Sequence, residues 1–278
     1  MSDTLTQLVN ANDVNIVGTG KVSSAISHNL LGKVRFGYVL SRDFEKAKSL
    51  AERIGATPVT YSQDFLLNGI VLFGLSDSVL KDAETLLNGK VGEITAIHFS
   101  GFHPSQILPR SWNPASMHPN CAVADENVSF KDVLFGLEGC DSGLEVAKEI
   151  VDIIGGRYFI VPTDKKVLYH LAAVISSNFT VGLASLSEKI YEEIGLDEKT
   201  ARELISHLLQ TVGDNISKFP IDVALTGPVK RGDWKVVEME RAAFIEQFPQ
   251  FSKPFSSSHD CGLYDIFVDI LKDIINKP

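Results

Sequence analysis

Strand-like and helix-like patterns alternate up to about residue 162, and beyond that point the strand-like ones stop. This change of period limits the fold more than any other feature. Val14–Val17 is a β-rich run followed by Gly18-Thr19-Gly20. Residues 22–31 then read as a helix, 35–40 as a strand, and 45–54 as a helix stopped by Gly55. Residues 70–75 and 93–99 are further strands, and Asp77 is expected to cap a helix running to Leu87. Weaker strands fall at 115–118, 133–137 and 158–161, with a helix over 141–154 before the last. Such alternation builds a parallel sheet with helices on both faces.

After Thr163 the apolar residues follow a helical period. Residues 164–194 hold no proline and one glycine, and Leu168, Leu171, Ile175, Phe179, Leu183, Leu186, Ile190 and Ile194 recur at steps of three, four or seven. The spacing predicts one long helix with a buried stripe. Residues 201–216 and 263–275 repeat the pattern, and Trp234, Val237, Phe244 and Phe248 predict a fourth helix. Residues 248–261 read as a loop. The expected organisation is an α/β domain over 1–163 and an all-α domain over 164–278.

Charge and cysteines narrow the class. Lys and Arg number 26 against 35 Asp and Glu, a net charge of −9. With no basic cluster, this argues against nucleic-acid and anionic membrane partners. No unbroken apolar run reaches the roughly 18 residues of a membrane helix, and no secretory signal opens the chain. Cys121, Cys140 and Cys261 are too scattered for a disulfide framework or a zinc site and suit a cytoplasmic setting. No metal site is expected.

The chemistry begins at the first turn. Gly18-Thr19-Gly20-Lys21-Val22-Ser23 places Gly-x-Gly-x-x-Ser between the first strand and its helix. Free helix N–H groups and the positive end of the helix dipole suit a pyrophosphate there. Gly18 permits the tight turn, Gly20 admits the phosphates, and Ser23 is small enough for close helix–strand packing. NAD sites carry an acid about 20 residues further on, at the end of the second strand. Here Ser41 and Arg42 stand there instead, and a guanidinium suits the 2′-phosphate of NADP. Asp43 and Glu45 are expected to start the next helix. The glycine turn can also be an ordinary strand-to-helix turn, and Arg42 a solvated charge.

Among seven histidines, His118 lies at an expected strand end, where ligands bind in open α/β sheets. His170 lies one turn into the long helix beside Tyr169, with Asn178 eight residues on. Each can equally be a satisfied structural residue. His28, His103, His207 and His259 have no supporting context. No HExxH, paired CxxC, Gly-x-Ser-x-Gly or Walker pattern occurs. Residues 224–233 form a Gly-Pro and Gly-Asp turn in which Asp233 is expected to cap the next helix. The other reading has that turn presenting Lys230 and Arg231 to a cofactor.

The chain resembles the Rossmann-like family of NADP oxidoreductases with a C-terminal helical domain of unknown function, distantly similar to ketopantoate reductase and pyrroline-5-carboxylate reductase. The resemblance rests on Gly18-Thr19-Gly20, Ser41-Arg42, Ser76-Asp77, His98-Phe99-Ser100-Gly101, His118-Pro119, Tyr169-His170-Leu171-Ala172-Ala173 with Asn178, and Leu225-Thr226-Gly227-Pro228 with Arg231-Gly232-Asp233. It implies a dinucleotide-binding domain and a helical dimerisation domain. Cofactor contacts would then come from Gly18, Thr19, Gly20, Lys21, Val22, Ser41, Arg42, Leu75, Ser76, Asp77, Ser100 and Gly101. Two positions depart from the relatives: Ser76 replaces a common Pro, and Val174 stands where β-hydroxyacid dehydrogenases carry a Lys four residues before the helix Asn. No catalytic lysine is therefore transferred.

The expected function is NADP(H)-dependent reduction of a small carbonyl or imine compound at a cleft between the domains. His170 is the preferred proton donor, Asn178 the holder of the developing oxyanion, and His118 the second imidazole. A non-catalytic NADP sensor and a scaffold with a vestigial glycine turn are the alternatives. A helix of about 45 Å at 1.5 Å per residue exceeds one small domain, so its stripe predicts a homodimer through the helical half.

Overall fold

The structure is a computed structural model that describes residues 8–9, 12–252 and 262–276. The chain divides into two compact units between Phe179 and Thr180. The first carries an eight-stranded sheet in the order β3-β2-β1-β4-β5-β6-β7-β8. Its strands are β1 Val14–Val17, β2 Phe36–Leu40, β3 Thr57–Val59, β4 Leu67–Phe73, β5 Val91–His98, β6 Ala115–Pro119, β7 Leu134–Gly139 and β8 Arg157–Ile160. Neighbours pair in parallel except β6 and β7, which are antiparallel. The strand order reverses between β1 and β4, which makes that point the topological switch of a Rossmann-type fold.

Local chemistry explains the elements. All four residues of β1 are buried, as a strand covered on both faces requires. Helix Phe44–Ile54 starts at Asp43, whose carboxylate accepts from Glu45 N and Lys46 N, and ends at Gly55 in the left-handed region. β3 was not legible in the sequence because it is three residues long with Pro58 at its centre, a composition confined to sheet edges.

Some expectations need correction. The helix expected from Asp77 to Leu87 is two single turns, Asp77–Leu80 and Ala83–Leu86, and Ser76 rather than Asp77 takes the cap position. The break lets Leu80, Ala83 and Leu87 all face the core, each 1 % exposed. Asp233 occupies the cap position of helix Trp234–Gln247 without capping it, because its carboxylate accepts from Arg231 Nε at 2.8 Å. Lys230 Nζ donates to the Asp222 carbonyl at 2.8 Å, so both cations of that turn are engaged locally.

The backbone is helical from Thr163 to Glu193, interrupted by a π turn over Ile175–Phe179. By length and composition this run is apolar enough to cross a membrane. Polar residues such as Lys166, His170 and Ser177 break it into short pieces, so no unbroken apolar stretch betrays it in the sequence. Helix Lys166–Val174 belongs to the first unit, since Lys166 and Tyr169 bond to the sheet. The expected buried stripe is exposed in the single chain: Leu168 at 62 %, Ile175 at 51 % and Phe179 at 57 %.

The second unit comprises helices Thr180–Glu193, Glu198–Lys218, Ile221–Ala224, Pro228–Arg231, Trp234–Gln247 and Leu263–Ile275. Its buried apolar residues among those described are few: Ala201, Val229, Val237 and Phe248. The loop expected over 248–261 starts with a 3₁₀ turn, Pro249–Phe251, while residues 253–261, including His259 and Cys261, lie outside the described residues.

Candidate active site

The glycine turn follows β1. Gly18 has φ +96°, and a Cβ there would lie 2.5 Å from the Gly74 carbonyl oxygen, so both conformation and space demand glycine. Gly20 has no such internal reason, because a Cβ would meet Gly74 O only at 3.7 Å, an ordinary contact. Gly20 is also the cap residue of helix Lys21–Leu30, whose first turn has no side-chain cap and no acidic residue. Ser23 is buried and fills the space where Gly74 lacks a side chain. Lys21 is exposed, and Val22 packs partly against the core.

At the end of β2, Ser41 is 8 % exposed. Its Oγ accepts from Asp43 N at 3.3 Å and from Thr19 Oγ1 at 3.4 Å. Arg42 is exposed and forms no ion pair among the described residues. Burial pushes the Tyr61 phenol up, and the Arg42 charge partly offsets it. The carboxylate of Asp43, the next residue in sequence, accepts the cap bonds of its helix. These residues fit a pyrophosphate on the turn and a phosphate beside Arg42. Leu75 leans over Gly18, while Ser76 and Asp77 are exposed at the end of β4, with Ser76 Oγ and Ser78 Oγ 3.1 Å apart.

A second cluster lies two and three strands from β1, at the ends of β5 and β6, roughly 10–15 Å away at the usual strand spacing. Lys166 is 1 % exposed, and its Nζ donates to the Ser100 carbonyl at 3.0 Å and to Ser116 Oγ at 2.7 Å. Burial pulls its ammonium down to about 8, with Glu138 and Asp77 offsetting part of the drop. Glu138 is itself buried and accepts from Ser105 N at 2.6 Å, Ser105 Oγ at 2.8 Å and Thr163 Oγ1 at 3.0 Å.

His118 Nδ1 lies 2.6 Å from the Tyr169 hydroxyl. Burial, then the charges of Lys166 and His170, hold His118 down at about 4, against a smaller pull from Asp77. Burial drives the Tyr169 phenol up to about 12. His170 packs edge-on to His118, ring centres 5.9 Å apart, and its Nδ1 is buried with no hydrogen-bond partner. His98 is fully buried and held at about 3, chiefly by burial.

The structure thus brings Ser100, Gly101, His118 and His170 together within the first unit. It does not bring Asn178 to them. Asn178 is exposed in the π turn, where its Oδ1 accepts from Ser177 Oγ at 2.9 Å. An extra residue in the turn rotates every later side chain by about 100° around the axis, which defeats a face count made at a constant helical period. Lys166 is the residue that sequence reasoning missed. The signal was its spacing: Lys166, Tyr169 and His170 stand at i, i+3 and i+4, on one helical face. Among the described residues, no three His, Cys, Asp or Glu side chains gather as for a metal.

The family described as a domain of unknown function (DUF2520) matches residues 133–258. No curated protein matches the chain. Among solved structures, TM1727 from Thermotoga maritima is 38 % identical over 94 % of this chain and 98 % of its own, with a TM-score of 0.74. BF3122 from Bacteroides fragilis, assigned as an NADP oxidoreductase, is 20 % identical over 94 % of this chain and 98 % of its own, TM-score 0.71. The pyrroline-5-carboxylate reductase of Coxiella burnetii is 16 % identical over 96 % and 100 %, TM-score 0.59. The last two likenesses are of fold alone. The identity to TM1727 along nearly the full length of both chains goes further: the chain belongs to the Rossmann-like family with a C-terminal helical domain of unknown function that its motifs resemble.

Proposed function

We propose that the protein is an NADP(H)-dependent oxidoreductase that reduces a small carbonyl or imine compound. The observation that carries this is the placement, at strand ends of one sheet only two and three strands apart, of a glycine turn fit for a pyrophosphate and a buried imidazole–lysine cluster. The fold neighbours named as reductases, including the Aspergillus terreus reductive aminase in complex with NADPH, support the same class. When bound, NADPH supplies the hydride.

The chain supplies the rest. Gly18, Thr19, Gly20 and the first-turn N–H groups of Lys21 and Val22 hold the pyrophosphate, and Ser41 and Arg42 hold the 2′-phosphate. Leu75, Ser76 and Asp77 after β4, with Ser100 and Gly101 after β5, flank the reacting end. His170 holds the proton for the substrate heteroatom, and His118 packs beside it. The test is stereospecific deuteride transfer from labelled NADPH across a panel of ketoacids and imines. Tight NADPH binding with no transfer to any of them would favour a sensor.

NADPH is expected to bind more tightly than NADH, and Arg42→Ala to remove the difference while leaving NADH affinity unchanged. A charge-assisted contact of this kind is worth roughly 1.5–3 kcal/mol. Titration of both cofactors checks it, and equal affinities in the parent protein would refute it.

We also infer a homodimer through the helical half. Leu168, Leu171, Ile175 and Phe179 form an exposed apolar row that water solvates poorly. Light scattering at micromolar concentration should give twice the 30.4 kDa chain mass; a monomer would exclude it.

A further inference from the structure

The second and third strands leave the sheet side by side. Leu40 pairs with Val59 in parallel register, and Ser41 N donates to the Val59 carbonyl at 3.3 Å. Ser41-Arg42 and Thr60-Tyr61 therefore emerge from the same edge of the sheet, on strands about 4.8 Å apart. The turn that carries Tyr61 is tied at several points. Thr60 N donates to Gln63 Oε1 at 2.7 Å, Gln63 N to the Thr60 carbonyl at 3.1 Å, and the Gln63 carbonyl accepts from Lys90 Nζ at 2.6 Å. Tyr61 is half-buried, packed against the apolar cluster that holds Val17, Leu40, Val59 and Phe73. These four are the last residues of β1 to β4.

The polar end of the Tyr61 ring is free. Its hydroxyl makes no hydrogen bond among the described residues. Burial pushes the phenol up, which keeps its proton in place at neutral pH, and the charge acting on it is the Arg42 guanidinium. Ser41 Oγ accepts from Asp43 N and Thr19 Oγ1, which leaves its own proton to give. Asp43 commits its carboxylate to Glu45 N and Lys46 N. Arg42, Ser41 and Tyr61 are thus three donors on two adjoining strand ends, in want of an acceptor.

We propose that Tyr61 is a specificity-determining residue of the cofactor site, its hydroxyl donating a hydrogen bond to the ribose 2′-phosphate beside Arg42 and Ser41. The inference rests on the NADP reading and deepens it, because no motif that suggested NADP includes residue 61. A neutral hydroxyl adds a directed bond to the phosphate without burying a second charge. With NAD the phenol keeps its water, and exchanging one neutral partner for another gains little. The benefit is therefore confined to the phosphorylated cofactor.

The test uses the full chain with NADP⁺ and NAD⁺, which differ only by the 2′-phosphate. Tyr61→Phe keeps the ring on the apolar cluster and breaks no bond within the protein, so the fold holds. In calorimetric titrations the substitution should weaken NADP⁺ binding by about tenfold and leave NAD⁺ affinity unchanged. A second readout is the phosphate itself, whose second ionisation lies at about pH 6 in a free phosphomonoester. In ³¹P spectra the 2′-phosphate of bound NADP⁺ should stay a dianion to lower pH than in free NADP⁺, and Tyr61→Phe should reverse part of that shift. An equal loss of NADP⁺ and NAD⁺ affinity overturns the proposal, since it would make Tyr61 a support for the adenosine or the fold. An unchanged NADP⁺ affinity overturns it too. A parent protein that binds neither cofactor, or both alike, defeats the NADP reading and the role of Tyr61 with it. A preference for NADP⁺ that is as strong with phenylalanine as with tyrosine defeats the role of Tyr61 alone.

Discussion

His170→Gln is expected to cut turnover by roughly 10²–10⁴-fold, the usual worth of a positioned proton donor, while the melting temperature and NADPH affinity hold. Nδ1 of His170 bonds to nothing in the protein, so its loss breaks no structural hydrogen bond. Its ring packs edge-on against His118 and against Phe102, whose ring centre lies 6.2 Å away. Glutamine keeps polarity and most of the reach but carries no transferable proton. Steady-state rates per folded molecule, with thermal melts alongside, make the comparison. A variant that melts early and keeps its rate would assign His170 to packing and move the proton donor elsewhere.

The second large effect concerns Lys166. Burial pulls its ammonium from 10.5 to about 8 in the folded protein. Below pH 8 the residue is charged in both states, and the fold carries the full cost of burying it. Between pH 8 and 10.5 the folded state loses its proton first, the unfolded chain binds more protons, and stability rises with pH. At 1.36 kcal/mol per unit the change amounts to about 3 kcal/mol. The parent protein should therefore gain about that much on Lys166→Met between neutral pH and pH 10.5, with other titrations cancelling in the difference. Methionine keeps the unbranched stem, and Ser116 Oγ keeps its bond to the Ser100 carbonyl. Urea unfolding of both proteins at the two pH values measures the change, and a constant difference would mean that water reaches the ammonium in the folded state.

Much of the sheet was legible because its signals are local. β1 and helix Leu263–Ile275 fall where apolar runs and periods put them, and Asp43 caps its helix as its position before an amphipathic run suggests. What escaped depends on partners distant in sequence or on irregular backbone. Lys166 follows Lys165, which is solvated and pairs with Asp164 at 2.9 Å, and two adjacent lysines look alike until the sheet selects one. Asn120 acts on Tyr169 across 49 positions, a relation no local pattern carries. The π turn displaced Asn178 without any proline or glycine inside it to mark the change. The apolar row of the long helix was readable, but whether it faces a core or the outside is a property of packing, not of period.

The contact between Ser23 and Gly74 bears on how the dinucleotide fingerprint should be compared among relatives. The two positions share one small volume: the serine hydroxyl occupies what a methyl on residue 74 would need. The third place of the motif and the residue closing β4 are therefore not independent letters. A relative with glycine in the third place has room for alanine at the end of β4, and one with serine there does not. Exchanging both together should be tolerated where Gly74→Ala alone is not. Scoring the motif letter by letter counts Ser23 as a defect, whereas scoring the pair counts it as one of two equivalent ways to fill the same hole.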